Sequence, residues 1–191
     1  MKAQVFTSSS PAILCMILLL GGCTSSLTYE QAMSRNRKNM SDMERLNDAN
    51  FLVEASSYHL LQQSNLKLAE ERGYSAAVVN HAKQKSTAYE KMGGSLKKLA
   101  RKKDIRIPGE MKTEHRALLD RLAGEGRSDF DNEFVETLED VIDDNTDLFE
   151  GQASAANDAD IRSFAARNLT VLRDHAKAID QVDEVLMGRK R

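Results

Sequence analysis

The 191-residue chain has few of the residues that favour sheets and rigid turns. It contains no tryptophan and only two prolines, and aromatic residues make up 5% of it. Sandwiches and barrels are built from strands rich in aromatic and β-branched residues, so the composition argues against both. Charged residues reach 29%, and Ala, Leu, Lys and Glu are abundant, which is typical of long helices. The sequence therefore predicts an all-α fold.

A long apolar run is also missing. A transmembrane helix needs about 20 apolar residues, whereas the main apolar run here extends only over Ala12–Leu20. It follows an early lysine and leads into Gly21-Gly22-Cys23, and this order of parts is that of a bacterial lipoprotein signal. We therefore predict that residues 1–22 are a signal peptide and that Cys23 is lipidated after cleavage. The alternative is an ordinary secretory signal in which Cys23 is incidental.

Neither sign of charge dominates the chain, and cysteine is scarce. Without residues 1–22, which include one lysine, the remaining 169 residues carry a net charge near −3, which argues against a nucleic-acid partner. Cys23 would be the single cysteine of this mature chain, so no internal disulfide can form. A chain of this length is sufficient for one domain with its own core.

The segment that follows the cysteine is polar and shows no apolar periodicity as far as about Met40. We predict that residues 23–41 form a lipidated flexible tether. Arg35, Arg37 and Lys38 make this segment basic, which fits a solvated linker or an attraction to an anionic membrane. At the other end of the chain, residues 189–191 are predicted to be a short basic tail.

Apolar residues recur at steps of three and four across residues 42–188, which indicates amphipathic helices. The spacing predicts four long helices, and a short helix over residues 111–123 in the connection between the second and the third. Capping or breaking residues mark the boundaries: Ser41-Asp42-Met43-Glu44, Gly73 in a left-handed conformation, Ser75, Ser128 and Asn157-Asp158. Two short turns and one long crossover predict a four-helix bundle with ferritin-like connectivity.

Gly93-Gly94 lies inside the second predicted helix. Each glycine costs about 1 kcal/mol relative to alanine in a helix. A kink, a close contact between helices or simple local tolerance could explain the pair.

The histidines do not follow the pattern of a di-metal site. A ferritin-like centre uses Glu-x-x-His on two helices, but no glutamate stands three residues before a histidine in this chain. The residues at those positions are Ser56, Val78, Lys112 and Leu172. Neither Gly-x-Ser-x-Gly nor a glycine-rich phosphate loop is present, so we predict no metal site, no cofactor and no enzyme activity.

His175 lies on the apolar face of the last predicted helix, between Leu172 and Ile179. It could be a ligand or a buried polar residue, and a hydrogen-bonded core histidine is the favoured interpretation. On that interpretation, a His175→Leu variant is expected to be neutral or stabilising near pH 5.

Several short motifs, in their order and spacing, resemble the bacterial envelope family called domain of unknown function 4142, over about Asp48 to Val182. They are Asp48-x-x-Phe51, Leu68-Ala69, Leu96-x-x-Leu99-Ala100, Ile107-Pro108, Leu118 with Leu122, Phe130-Asp131, Leu148-Phe149-Glu150 and Leu172-x-x-His175. The resemblance implies a ferritin-like four-helix bundle, often with a lipoprotein or secretory signal, and no established activity. It also implies a glutamate and three histidines at positions that here are Gln62, Tyr89, Ile142 and His175. Candidate polar core or ligand residues are therefore His175, Tyr89 and Gln62.

Thr24 after the cysteine, rather than aspartate, resembles the signal for outer-membrane sorting in Gram-negative bacteria. We expect a lipoprotein on the outer membrane that faces the periplasm and acts as a non-enzymatic binding or structural module. Its expected partners are the membrane, through the lipid anchor, and an envelope protein. The alternative is a ferritin-like metal-binding or redox protein, and carriage of a small ligand in the bundle interior is a third hypothesis.

Overall fold

The computed structural model describes residues 26–189, and this part of the chain contains helices and connecting segments but no strand. The predicted all-α fold is confirmed. The six helices are α1 (Tyr29–Asn39), α2 (Met43–Arg72), α3 (Ala76–Lys102), α4 (Thr113–Gly124), α5 (Phe130–Ala155) and α6 (Ala159–Arg189). The predicted signal peptide, Cys23 and the last two residues of the predicted basic tail lie outside the described residues. None of the helices between residues 26 and 189 combines the length and the apolarity that crossing a bilayer requires.

Three of the four long helices begin at a side chain that satisfies free backbone N–H groups. Asp42 accepts a hydrogen bond from the Glu44 N–H at the start of α2, and Ser75 accepts one from the Val78 N–H at the start of α3. Asp158 accepts hydrogen bonds from two backbone N–H groups at the start of α6.

The predicted cap at Ser75 is confirmed. Ser41 and Ser128, however, are not the caps that the sequence suggested. Asp42 caps α2 one residue after Ser41, and α5 begins after Asp129 without a side-chain hydrogen bond at its cap.

The four long helices form a closed ring of neighbours, in which α2 and α6 each contact both α3 and α5. Phe51, near the start of α2, packs against Phe149, near the end of α5, with ring centroids 5.1 Å apart. Lys102, at the end of α3, pairs with Asp160, at the start of α6, at 2.8 Å. Neighbours in the ring are thus antiparallel, and α3 and α5 run in the same direction. The long connection that contains α4 joins these two helices.

Two buried aspartates tie each helical hairpin to the turn of the other. Asp48 in α2 accepts hydrogen bonds from the backbone N–H groups of residues 157–158, at 3.2 and 2.8 Å, in the α5–α6 turn. Asp131 in α5 accepts hydrogen bonds from the backbone N–H groups of residues 74–75, at 2.9 and 2.7 Å, in the α2–α3 turn. Both aspartates stand three residues before a buried phenylalanine, so equivalent contacts hold the two hairpins together.

Residues 29–39 are helical, so the prediction of a flexible tether is wrong for this segment. Thr28 and Gln31 form a reciprocal capping box at the start of α1. Asn36 donates a hydrogen bond to the Arg106 carbonyl at 2.8 Å and accepts one from the Arg106 N–H at 2.9 Å. Ala32 is the one apolar residue that α1 buries completely, which is too little apolar surface to produce a visible period. Contacts with the rest of the fold, which a local pattern cannot reveal, hold this helix.

Gly73 ends α2, but it does not adopt the left-handed conformation that the sequence suggested. Its φ is −51° and its ψ is 130°. A Cβ at this position would lie 2.7 Å from the carbonyl oxygen of Ala69. A close backbone approach, rather than a positive φ, therefore favours glycine here.

Candidate functional site

The three polar candidates from the sequence, His175, Tyr89 and Gln62, are completely buried. The structure brings two of them together, because the Tyr89 hydroxyl lies 2.7 Å from Nδ1 of His175. The other ring nitrogen of His175, Nε2, lies 2.9 Å from Nε2 of His81, and the two imidazoles stack with centroids 4.9 Å apart. His81 and Tyr89 are about two turns apart on α3, so both face α6.

His81 was missing from the predicted site. The sequence did carry a signal for it, because His81 and His175 both lie on the apolar faces of their helices. Periodicity within one helix does not fix the register between helices, so it could not reveal that these two imidazoles meet.

The hydrogen bonds assign the protons of this cluster. In the described part of the chain, Nδ1 of His175 is the one partner of the Tyr89 hydroxyl, so the buried hydroxyl proton is paired only if the tyrosine donates it to Nδ1. A neutral His175 then carries its proton on Nε2 and donates it to Nε2 of His81. Both nitrogens of His175 are therefore used by neighbouring side chains.

Burial keeps the cluster uncharged. Desolvation, with a smaller effect of Lys85, lowers the pKa of His81 to about 4, although a backbone hydrogen bond with Ala178 opposes the shift. Desolvation also lowers the pKa of His175 well below its usual value, and His81 and Lys85 add to the effect. Burial raises the pKa of Tyr89. At neutral pH all three side chains are neutral, so they can pack inside an apolar core.

Gln62 does not join this chain of hydrogen bonds. Neither its side-chain oxygen nor its nitrogen has a protein partner, and the same is true of Asn65, one turn further along α2. The side-chain oxygen of Asn145 in α5 is also without a partner. Buried amides are almost always hydrogen-bonded to protein or to water, so these three side chains are exceptions within the core.

Across residues 26–189, no three His, Cys, Asp or Glu side chains converge into a group that could hold a metal ion. Ile142, at a position where the resemblance implies a histidine, lies in the apolar core. It supplies no ligand atom to the cluster around His175.

The family model described as Domain of unknown function (DUF4142) matches residues 31–182. The chain belongs to this family. The match begins within α1 and ends within α6, so it includes the whole polar cluster, and the resemblance predicted from the motifs is confirmed. No curated protein and no solved structure matches the chain.

A third buried histidine in this DUF4142 domain explains the glycine pair in α3. A Cβ at Gly93 would lie less than 3.0 Å from three ring atoms of His59, whereas a Cβ at Gly94 would meet nothing within 4 Å. Gly93 therefore allows α3 to approach His59 of α2, which favours the close contact among the three explanations. Gly94 is exposed and is simply tolerated. Desolvation, with a smaller effect of Lys97, lowers the pKa of His59 to about 4.

The fourth histidine of the DUF4142 domain, His115, attaches α4 to α2. Ser57 accepts a hydrogen bond from the Lys112 N–H at 2.9 Å, and its hydroxyl lies 2.8 Å from Nδ1 of His115. Desolvation and the charge of Lys112 lower the pKa of His115. Ser57 and His115 are both buried, and their hydrogen bonds hold the start of α4 in place.

Proposed function

We propose that the protein is a periplasmic lipoprotein of the outer membrane whose helical domain acts as a non-enzymatic binding or structural module. The anchor rests on the sequence Leu20-Gly21-Gly22-Cys23. The proposal of a non-enzymatic role rests on the hydrogen bonds of His175, because both of its ring nitrogens are bonded to protein side chains. The hydrogen bonds among His81, Tyr89 and His175 therefore account for these buried polar side chains without a substrate or a ligand.

We further propose that the four long helices form a ferritin-like bundle. The support is their connectivity, because two antiparallel hairpins are joined by a long segment between helices that run in the same direction. The buried aspartates Asp48 and Asp131 give the two hairpins equivalent attachments.

Membrane fractionation of a Gram-negative host that expresses the full chain tests the anchor. The wild-type protein should be processed and found with membranes, because two or more acyl chains are needed for stable anchoring. Cys23→Ala should be unprocessed or released from the membrane fraction. Cys15→Ala, which removes the cysteine inside the predicted signal, is the matched control and should behave as wild type. A processed Cys23→Ala protein that stays on the membrane would contradict the proposal.

One observation favours the alternative of a ferritin-like metal or redox protein. The Nε2 atoms of His81 and His175 face each other in the core at 2.9 Å, and both imidazoles are neutral, as a metal ligand must be. A metal that binds only the folded state raises the free energy of unfolding by about 2.7 kcal/mol at a hundredfold excess over its Kd.

Thermal unfolding of the mature protein with chelator, iron, zinc or manganese distinguishes the two functions. We expect the curves to coincide. A reproducible increase in Tm with near-stoichiometric metal, lost in His81→Gln, would favour the alternative.

A further inference from the structure

The first described residues of the chain are fixed to one side of the domain. Ser26 donates a hydrogen bond to Glu110 at 3.2 Å, and the Gly109 N–H donates one to the Leu27 carbonyl at 2.9 Å. A Cβ at Gly109 would lie less than 3.0 Å from Cβ of Ser26, so the two segments are packed closely. Ser26 therefore lies against the loop of residues 105–112.

The helix that follows is fixed to the same side. The Tyr29 hydroxyl donates a hydrogen bond to Glu54 of α2, and Asn36 makes two hydrogen bonds with the backbone of Arg106. Helix α1 and the loop of residues 105–112 thus form one continuous surface, which we call the α1 face.

Very little chain separates this face from the predicted anchor. Three residue steps lead from Cys23 to Ser26, and an extended chain covers at most about 11 Å over that distance. An anchor at Cys23, on which this inference rests together with the proposed function, would hold the α1 face next to the lipid headgroups. A flexible tether over residues 23–41 would have left the orientation of the domain free.

The α1 face has the charge that suits an anionic lipid surface. Helix α1 carries three basic residues and one acidic residue, and the loop of residues 105–112 adds two basic residues and one acidic residue. Arg35, Arg37 and Lys38 are exposed, and none of them has an ion pair within the part of the chain that the structure describes. Arg106 is exposed beside them, although it pairs with Asp104 at 3.5 Å. Helix α5, by contrast, carries nine acidic residues and no basic one, so an anionic membrane would repel it.

We propose that the α1 face is a membrane-contact surface, on which Arg35, Arg37, Lys38 and Arg106 bind the headgroups of anionic phospholipids. The anchor brings this face to the bilayer, and its basic side chains keep it there. Each basic residue near an anionic surface contributes about a fivefold change in binding at low ionic strength. Removal of three of them should weaken the docked state by roughly a hundredfold.

Site-directed fluorophores on the full lipidated chain test the orientation. An acylated Cys23 has no free thiol, so a cysteine introduced into the mature chain can be labelled selectively. Ser34→Cys puts the label on the exposed side of α1. Thr170→Cys, at an exposed position of α6, is the matched control, because α6 packs on α3 and α5, across the core from α1. Neither change removes a charge.

The labelled proteins are bound to vesicles that contain a headgroup-attached quencher. On vesicles of phosphatidylcholine with phosphatidylglycerol, we expect strong quenching at position 34 and weak quenching at position 170. Replacement of Arg35, Arg37 and Lys38 by glutamine should reduce quenching at position 34 to the level that phosphatidylcholine alone gives. Unchanged thermal unfolding shows that this variant is folded.

Equal quenching at the two positions, or quenching at position 34 that does not depend on the three basic residues, would overturn the inference. Mass spectrometry of the same samples separates this result from a failure of the proposed function. Protein that is acylated and bound to vesicles, yet not quenched at position 34, contradicts the membrane-contact surface alone. Protein without acyl chains contradicts the anchor itself.

Discussion

The two neighbouring glycines of α3 offer a sharp test of how the core is packed. Alanine is about 1 kcal/mol more favourable than glycine inside a helix. Gly94→Ala adds a methyl group to open space and should raise the free energy of unfolding by about that amount. Gly93→Ala has the same gain in propensity, but its Cβ overlaps the ring of His59. His59 is 4% exposed, so its ring has little freedom to turn away.

Overpacking of this kind costs about 1–3 kcal/mol. We therefore expect Gly93→Ala to be less stable than Gly94→Ala by about 1–3 kcal/mol, measured by urea unfolding followed by circular dichroism. In a His59→Ala background the ring is gone, and Gly93→Ala should become about as stabilising as Gly94→Ala. This cycle isolates the contact between Gly93 and His59. Equal effects of the two glycine substitutions in the wild-type background would refute the proposed contact.

Further predictions concern the polar core. His175→Leu leaves the buried Tyr89 hydroxyl without its partner, so it should lower the free energy of unfolding by about 1–3 kcal/mol at pH 7, a loss that the sequence alone did not suggest. The double variant with Tyr89→Phe should recover part of it, and no recovery would contradict the assigned hydrogen bond. Asp131→Ala removes hydrogen bonds to the α2–α3 turn and should lower the free energy of unfolding by about 1.5–3 kcal/mol. The control Asp129→Ala, at an exposed position, should lower it by less than about 1 kcal/mol. Similar losses in the two variants would argue against the attachment through Asp131. The pKa of His81 is lowered to about 4 in the folded protein and is near 6.5 in the unfolded chain. Because the unfolded state takes up the proton first, the free energy of unfolding is at its full value above pH 6.5 and decreases as the pH falls towards 4. Urea titrations should show a loss of about 2 kcal/mol at pH 5 from this residue, which His81→Gln should reduce, and an identical pH dependence in the variant would contradict the lowered pKa.

Local signals explain which helices could be predicted. The start of α3 at Ser75 and the break at Asp158 use side chains that bond the next free N–H groups, so the sequence alone indicates them. The long helices also bury wide apolar stripes. Helix α1 has neither a wide stripe nor a large buried surface, and Asn36 fixes it through contacts with Arg106, a residue distant in the sequence.

The candidate site could be predicted only in part. The apolar face of the last helix and the family resemblance both indicated His175, whereas the resemblance alone indicated Tyr89. The structure shows that the two side chains are in contact, which neither signal predicted. The register between α3 and α6 decides that His81 completes the cluster, and no pattern within one helix contains that register. Gln62 lies on α2 without a protein partner for its amide, so the predicted group of three is not a single cluster.

The central claim is that Cys23 is the lipidated first residue of the mature protein. Mass spectrometry of the protein purified from the membranes of a Gram-negative host tests it most directly. We predict an N-terminal peptide that begins at Cys23 and carries the mass of acyl chains. A mature chain that begins elsewhere, or one in which Cys23 has a free thiol, would contradict the account.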